Sequence, residues 1–442
     1  MLKSWYPRIL VPSMILLFQA VTWYLYTPYS VDIYQKTNNT HTQWNKTQAK
    51  SLLDNIDEYL NKQKINTSVI GGDVLSSGRQ SNDLVLDSKN KLKIYMYNVR
   101  QLRLQGHLHN LNMSKCAYSN CEVLLVPYIT DEPVGADALL FQANVMHPVF
   151  PRRRSPSQVF VFLNNEPPLY VHAKESVNAF SKPYLFNWTI TYRKDSDIWM
   201  PYGHIIPRYQ SKAKFLEKLE SGTCDRIPEV ASTVEVFQDK PYNEIFKNKT
   251  EHILWIVSHC KTQSKREKYV KEMQKFTKVD IFGACSGKKP PHAEEKNRVD
   301  MQYKFYLAFE NSLCTDYITE KVYKWYPQDI IVVVRGKAKY SKFLPNNTYI
   351  NADDFNSPRA LSEYLNELGS NEEAYTGFLK RKDLYHVVTE VESVQTAFCS
   401  LCRKLNNVDF NRKTIENVTQ WWYETDNKSN TNEEINVNSH HK

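Results

Sequence analysis

The chain has 442 residues, too many for one ordinary core, so about two or three domains are expected. Its formal net charge of +9 is modest for that length, and the Lys and Arg are scattered rather than massed, which fits mild attraction to anionic ligands. Zinc-finger spacing, an aromatic-basic RNP signature and basic-region heptads are all missing, so the usual nucleic-acid-binding classes are excluded and phosphates on a small ligand account for the charge.

Residues 1–8 form a short tail carrying Lys3 and Arg8, and Ile9 to Tyr26 then run for 18 positions without a formal charge, the minimum length for a membrane span. The positive flank puts the short side in the cytoplasm and everything after Thr27 in the lumen. A cleaved signal peptide is the competing reading. No small-x-small site follows the apolar run, however, so an uncleaved single-pass type II anchor at 9–26 is expected. A mean hydropathy of −0.56 argues against further spans. Residues 27–90, rich in Asn, Thr, Ser, Lys and Gln, read as a largely disordered stem.

Beyond the stem, apolar runs alternate with helical patterns. Buried strands are predicted at Lys93 to Asn98, Glu122 to Tyr128, Gln158 to Asn165, His252 to His259, Val279 to Gly283, Lys304 to Asn311 and Asp329 to Gly336. Helices are predicted at Ser264 to Phe276, Asp316 to Tyr326 and Ser357 to Gly369. Strand then helix, repeated, is the pattern of parallel sheets covered on both faces. The irregular stretch from Pro207 to Lys249 divides a first lobe, 91–245, from a second, 246–425, with a flexible tail at 426–442. Two Rossmann-like lobes would then face a cleft at the carboxyl ends of their strands. With no GxGxxG or P-loop cradle, any phosphate must be held by side chains and helix ends.

N-x-S/T sequons occur at Asn38, Asn45, Asn66, Asn112, Asn187, Asn248, Asn346, Asn417 and Asn427, and together they favour a glycosylated lumenal chain. An even count of eight cysteines fits disulfides in an oxidising compartment. Cys399 and Cys402 form a CxxC, but no second CxxC or His pair completes a zinc site.

The stretch FENSLCTDYITEK, Phe309 to Lys321, carries the densest chemistry. It reads as a strand end, a loop, and a helix capped by Asp316 and stopped at Pro327. A helix N-terminus there offers N–H groups to an anion, and Lys321 adds a full charge, with Tyr317 one turn earlier on the same face. Glu320 accepts from hydroxyls and Asn311 both donates and accepts. An anionic, hydroxyl-rich ligand such as a nucleotide sugar fits this set; on spacing alone, so does a capped surface helix with a Glu320–Lys324 pair.

FYLAFENSLCTDYITEKVY resembles the signature of the Golgi α1,3-fucosyltransferases, in an invertebrate-type form. VSHCKTQSKREKYVKEM, NWTITYRKDSDIWMPYG, the FNSP of Phe355 to Pro358 and FCSLC are similar to the same family, over about residues 90 to 425. The resemblance implies an inverting transferase of GT-B-like α/β fold at the Golgi membrane. Its acceptor lobe would be the N-terminal one, and the C-terminal lobe would bind GDP-β-L-fucose.

Matched residue by residue, Asn311, Tyr317, Glu320 and Lys321 fall on donor-binding positions and Arg266 on the arginine that meets the diphosphate. A guanidinium there suits the charge gathering on departing GDP. Glu166 aligns with the catalytic base, in an NNEPP context where Pro167 stands for the family's serine. Tyr192 and Arg193 are further cleft contacts.

Asp195 to Asp197 imitates a metal-holding DxD. Within its TYRKDSDI segment a structural or positioning role is expected instead, with no obligatory metal or other cofactor; divalent-cation stimulation is left open. The resemblance also implies that Cys116 and Cys121 bridge to Cys399 and Cys402; apart from it, Cys285 is expected to pair with Cys314, both in donor-lobe loops, and Cys224 with Cys260. Two departures lie near the donor cleft: Ser258-His259 for Ser-Asn, and RGKAKYSKF for a glycine-rich turn. They leave two acceptors open, an antennal N-acetyllactosamine and the chitobiose core of N-glycans. They also leave open a catalytically weak or silent lumenal glycan-binding protein.

Overall fold

The structure, a computed structural model, describes residues 91–97, 102–126, 135–143, 150, 154–168, 180–223, 240–289 and 299–427. The expected tail, anchor and stem (1–90), Cys224 and the last residues from 428 lie outside these. Among the described residues no helix is long and apolar enough to cross a membrane.

In chain order the elements are β1 (Leu92–Tyr97), α1 (Leu102–His109), β2 (Cys121–Val126), β3 (Ala138–Gln142), β4 (Val159–Asn164), β5 (Trp188–Thr191), β6 (Ile198–Trp199), β7 (His204–Pro207) and α2 (Lys212–Ser221). There follow α3 (Tyr242–Lys247), β8 (Glu251–Ile256), α4 (Arg266–Met273), β9 (Val279–Phe282), α5 (Val299–Gln302), β10 (Tyr303–Phe309), α6 (Glu320–Tyr323), β11 (Ile331–Arg335) and β12 (Ile350–Asn351). The chain closes with α7 (Pro358–Ser370), α8 (Glu372–Lys382), β13 (Tyr385–Val388), α9 (Glu390–Asn406), α10 (Val408–Asn411) and α11 (Val418–Asn427).

Two parallel sheets result, as the alternating pattern predicts. The first has six strands in the order β2-β1-β3-β4-β5-β6, the second five in the order β12-β11-β10-β8-β9. Both faces are covered, which is why the central strands read as unbroken apolar runs. On β4, Val159, Val161 and Leu163 join one cluster while Phe160 and Phe162 join another. On β10, Phe305, Leu307 and Phe309 pack under α7 and α8, and Tyr306 and Ala308 share the cluster of Phe160 and Phe162. That shared cluster, with Tyr192, Tyr202, Tyr317 and Trp422, joins residues of both sheets into one core.

After α8 the chain returns. Strand β13 pairs antiparallel with β7, and α9 then lies on the first sheet, burying Phe398, Leu401 and Leu405 against Ile94, Leu140 and Val161. A capping box, Thr389 with Glu392, starts α9. Cys399 and Cys402, three apart, share a helical face. They form Cys116–Cys399 and Cys121–Cys402, fastening α9 to the entrance and first residue of β2 as the family resemblance implied.

The other two expected pairings are corrected. Cys260 bridges Cys285, because β8 and β9 are hydrogen-bonded neighbours and the loops leaving their carboxyl ends lie side by side. Cys314 is buried and takes no part in these bridges. The helix expected from Asp316 to Tyr326 is shortened to Glu320–Tyr323: Asp316 has a left-handed φ of 59°, and Thr319 is the N-cap.

Candidate active site

The carboxyl ends of β4 and β10 meet at Tyr317. Glu166 follows β4, its N–H donating to Asn164 Oδ1 at 3.1 Å. Tyr317, from the loop after β10, donates its hydroxyl to Glu166 Oε2 at 3.5 Å. Tyr317 is 2% exposed, packed on Tyr192 and Tyr202 with ring centroids 4.9 and 6.2 Å apart. Burial first, then Tyr202 and Glu166, push its hydroxyl well above the usual tyrosine range, so it stays protonated and able to donate. Tyr202 in turn donates to the Asn165 carbonyl at 2.6 Å, fixing the backbone just before Glu166. A further link between the two segments runs from the Lys194 N–H to Asp316 Oδ2 at 3.2 Å, and burial pushes that carboxyl up.

At the end of β10 the arrangement is ionic. Glu310, fully buried, accepts from the Thr319 N–H at 2.9 Å, from the Thr319 hydroxyl at 3.0 Å, and from Lys321 Nζ at 2.9 Å. The N-terminal turn that the sequence offers to a ligand's anion is therefore filled by the chain's own carboxylate. Lys321 Nζ also donates to Thr319 Oγ1 at 2.7 Å, and its side chain keeps 19% of its surface exposed. Glu320 stands 4.0 Å from it and is 39% exposed.

Arg266, the first residue of α4, is buried. Its Nη1 donates to the Phe309 carbonyl at 2.6 Å and its Nη2 to the His259 carbonyl at 3.3 Å. Arg266 and Lys321 thus reach consecutive residues of one strand end. The His259 contact is through its backbone, so the change from Asn to His leaves that acceptor in place.

Around these groups lie buried polar atoms with no hydrogen-bond partner among the described residues: Asn164 Nδ2, Asn165 Oδ1, Asn311 Oδ1, Ser312 Oγ and the Tyr340 hydroxyl. Orphaned buried polar atoms are rare in folded proteins, and a cluster of them at two facing strand ends fits a site for a hydroxyl-rich ligand. Gly336 makes room here, since a Cβ on it would lie 2.5 Å from the Tyr340 hydroxyl.

Arg193 turns elsewhere. Its guanidinium pairs with Asp195 at 2.6 Å, donates to the Trp421 carbonyl at 2.9 Å and stacks 4.4 Å over the Trp421 ring. Asp197 accepts from the Thr189 N–H and hydroxyl and pairs with Lys413 at 2.6 Å. Both carboxylates of the DSD are thus structural ties. Among the described residues no three His, Cys, Asp or Glu side chains gather as a metal site would require.

Of the sequons, Asn112, Asn248 and Asn346 are exposed and Asn417 half-buried, its side chain capping α11. Asn187 is 5% exposed, donating to the Lys413 carbonyl at 2.7 Å and accepting from the Phe160 N–H at 2.9 Å. Asn38, Asn45, Asn66 and the side chain of Asn427 lie outside the described residues.

Sequence reasoning passed over Glu310, Tyr202 and Tyr340. For Glu310 a signal was present: an acid closing an apolar run, eleven residues before a lysine.

Residues 89–203 match the family profile "Fucosyltransferase, N-terminal", and residues 246–421 match "Glycosyltransferase family 10 (fucosyltransferase) C-term". The chain is similar to α-(1,3)-fucosyltransferase C of Drosophila melanogaster, 35% identical over 65% of this chain and 65% of that protein. It is 29% identical to α-(1,3)-fucosyltransferase fut-1 of Caenorhabditis elegans, over 74% of this chain and 69% of the other. The matches thus span about two thirds of these relatives' own length. A solved α1,3-fucosyltransferase with GDP is 18% identical, over 69% of this chain and 84% of that one, at a TM-score of 0.41. With its two matched segments carrying both parallel sheets and the strand ends that meet at Tyr317, the chain belongs to glycosyltransferase family 10, the fucosyltransferases.

Proposed function

We propose that the chain moves L-fucose from GDP-β-L-fucose to the 3-hydroxyl of an N-acetylglucosamine in a glycan, with inversion at the anomeric carbon. Glu166 takes the proton of the attacking hydroxyl as the new C–O bond forms, and the bond to the β-phosphate oxygen breaks on the opposite face. Lys321 and Arg266 receive the charge that accumulates on departing GDP. Asn311, Tyr317 and Glu320 orient the donor, and Tyr192 supports Tyr317 from the acceptor side. The observation that carries this reading is the Tyr317–Glu166 contact, which joins the proposed base to the most specific motif in the chain.

The same reading assigns residues 91–245 to the acceptor lobe, 246–425 to the donor lobe and its return, and Ile9 to Tyr26 to a Golgi membrane anchor. Bridges at Cys116–Cys399, Cys121–Cys402 and Cys260–Cys285 support a lumenal, oxidising setting.

The test is incubation of the purified chain with GDP-fucose and a panel holding both antennal N-acetyllactosamine and N-glycan chitobiose-core acceptors. Fucosylated product and GDP release are followed with and without a metal chelator. Product at the GlcNAc 3-hydroxyl, surviving the chelator, is expected. Release of GDP without transfer points to an acceptor outside the panel. Absence of both GDP-fucose binding and release sinks the reading in favour of a silent glycan binder.

A further inference from the structure

We propose that Glu310 is a positioning residue for the donor: its carboxylate fixes the Lys321 ammonium and the Thr319 turn in the pose that receives the diphosphate. The inference rests on the functional reading above and deepens it. Glu310 is the first residue past β10, and its N–H still donates to the Arg335 carbonyl at 2.9 Å, extending the ladder with β11 by one step. Its own carbonyl accepts from Ser264 Oγ at 2.6 Å. The backbone is thus held at both ends, and the side chain is fully buried, reached from the surface by Lys321.

There it forms a closed triangle. Thr319 donates N–H and hydroxyl to Glu310, Lys321 donates to both Glu310 and Thr319, and Thr319 Oγ1 caps α6 by accepting from the Lys321 N–H at 3.5 Å. Two of the three ammonium N–H groups of Lys321 are used inside the triangle. The Glu320 carboxylate stands 4.0 Å from the same ammonium, beyond hydrogen-bond reach, and the lysine side chain is exposed enough to reach a ligand.

Stability alone is a poor reason for such an arrangement, because a buried ion pair is commonly no better than a packed apolar pair of the same volume. What the triangle supplies is direction. A lysine side chain has four rotatable bonds and substantial rotamer entropy, and pinning two of its donors removes that freedom before a ligand arrives. Lys321 then offers one aimed N–H, with its net charge largely balanced by Glu310, rather than a mobile cation.

The test is a double-mutant cycle read by GDP affinity, with folding checked by circular dichroism and thermal melting. Glu310→Gln keeps the shape and removes the charge. It is expected to weaken GDP about tenfold, raising the donor KM and leaving the acceptor KM unchanged. In a Lys321→Met background the same change is expected to cost no more than about twofold, because the residue it acts through has gone. Independent, multiplying penalties overturn the proposal, and so does parental GDP affinity in Glu310→Gln. If Glu310→Gln does not fold, Thr319→Ser and Thr319→Val carry the test: Ser keeps the triangle and the affinity, Val removes its hydroxyl corner and weakens GDP, and equal affinities refute the idea. A parent chain that binds no GDP defeats the functional reading itself, and the positioning role with it. That result is distinct from a parent that binds while the penalties multiply.

Discussion

The two strand ends that meet at Tyr317 hold their carboxylates differently. After β4, Glu166 has its N–H tied to Asn164, and one carboxylate oxygen accepts from the Tyr317 hydroxyl at 3.5 Å. After β10, Glu310 is locked by Lys321 and Thr319 in a fixed pair. On the proposed reaction this difference follows from the work each end does. A base must gain a proton during turnover, and the long contact from the Tyr317 hydroxyl leaves that oxygen able to accept one. A leaving-group site must keep its form, so its charges are paired and buried beforehand.

The comparison extends to how the two sheets are fastened, and there the largest effect is expected. Cys116–Cys399 and Cys121–Cys402 close separations of 283 and 281 residues, whereas Cys260–Cys285 closes 25. Either long bridge alone keeps the large loop closed, so on loop-closure entropy it is the loss of both that costs most, about 5.5 kcal/mol or more, against about 3.5 for the short one. Replacing Cys116, Cys121, Cys399 and Cys402 together by Ser is therefore expected to lower Tm more than Cys260→Ser with Cys285→Ser, and the reverse order would break the comparison. Next in size, Glu166→Gln is expected to lose about a hundredfold or more in turnover while binding GDP as the parent does. Unchanged turnover removes Glu166 as the base.

A third test uses pH. His204 is buried on β7 between Trp199 and Phe215, with ring centroids 4.7 and 5.1 Å away. Burial first, then the charge of Lys194, lowers its imidazole to about 3. Unfolded, it titrates near 6.5, at about the model-peptide value. Between those values the unfolded chain binds the extra proton. The stabilisation is thus complete above about pH 6.5 and lost as pH falls towards 3. Between pH 6.5 and 5 this amounts to about 2 kcal/mol, read as a falling Tm that His204→Phe flattens. Smallest, Lys321→Ala is expected to weaken GDP about tenfold without moving the acceptor KM. Equal affinity would return Lys321 to a purely structural part in the Glu310 pair.

The second sheet was the more legible of the two. Its strands β8, β10 and β11 are long apolar runs, and helix α7 announces itself with Ser357 and Pro358. The first sheet hides β3, β5 and β6 in stretches of five, four and two residues, and β7 and β13 are four residues each. Their strand character comes from pairing with distant segments, which local pattern does not carry.

At the site, the residues of the FEN-to-TEK motif were readable as a group, but the start of α6 was not. Asp316 and Thr319 are both good caps, and the choice is made by Glu310, whose burial depends on the whole fold. Likewise the Cys260–Cys285 bridge follows from β8 and β9 being neighbours, an adjacency no cysteine spacing reveals.

The return of α9 onto the first sheet has a consequence for how the chain is made. The sheet face that includes Ile94, Leu140 and Val161 has only the partial cover of Leu108 and its neighbours until residues 390–406 have left the ribosome. Through all the intervening synthesis that face is a greasy surface in need of a chaperone, and its cysteines wait for partners. A message cut short before α9 would therefore yield not a smaller enzyme but a half-closed product, fit for retention and degradation.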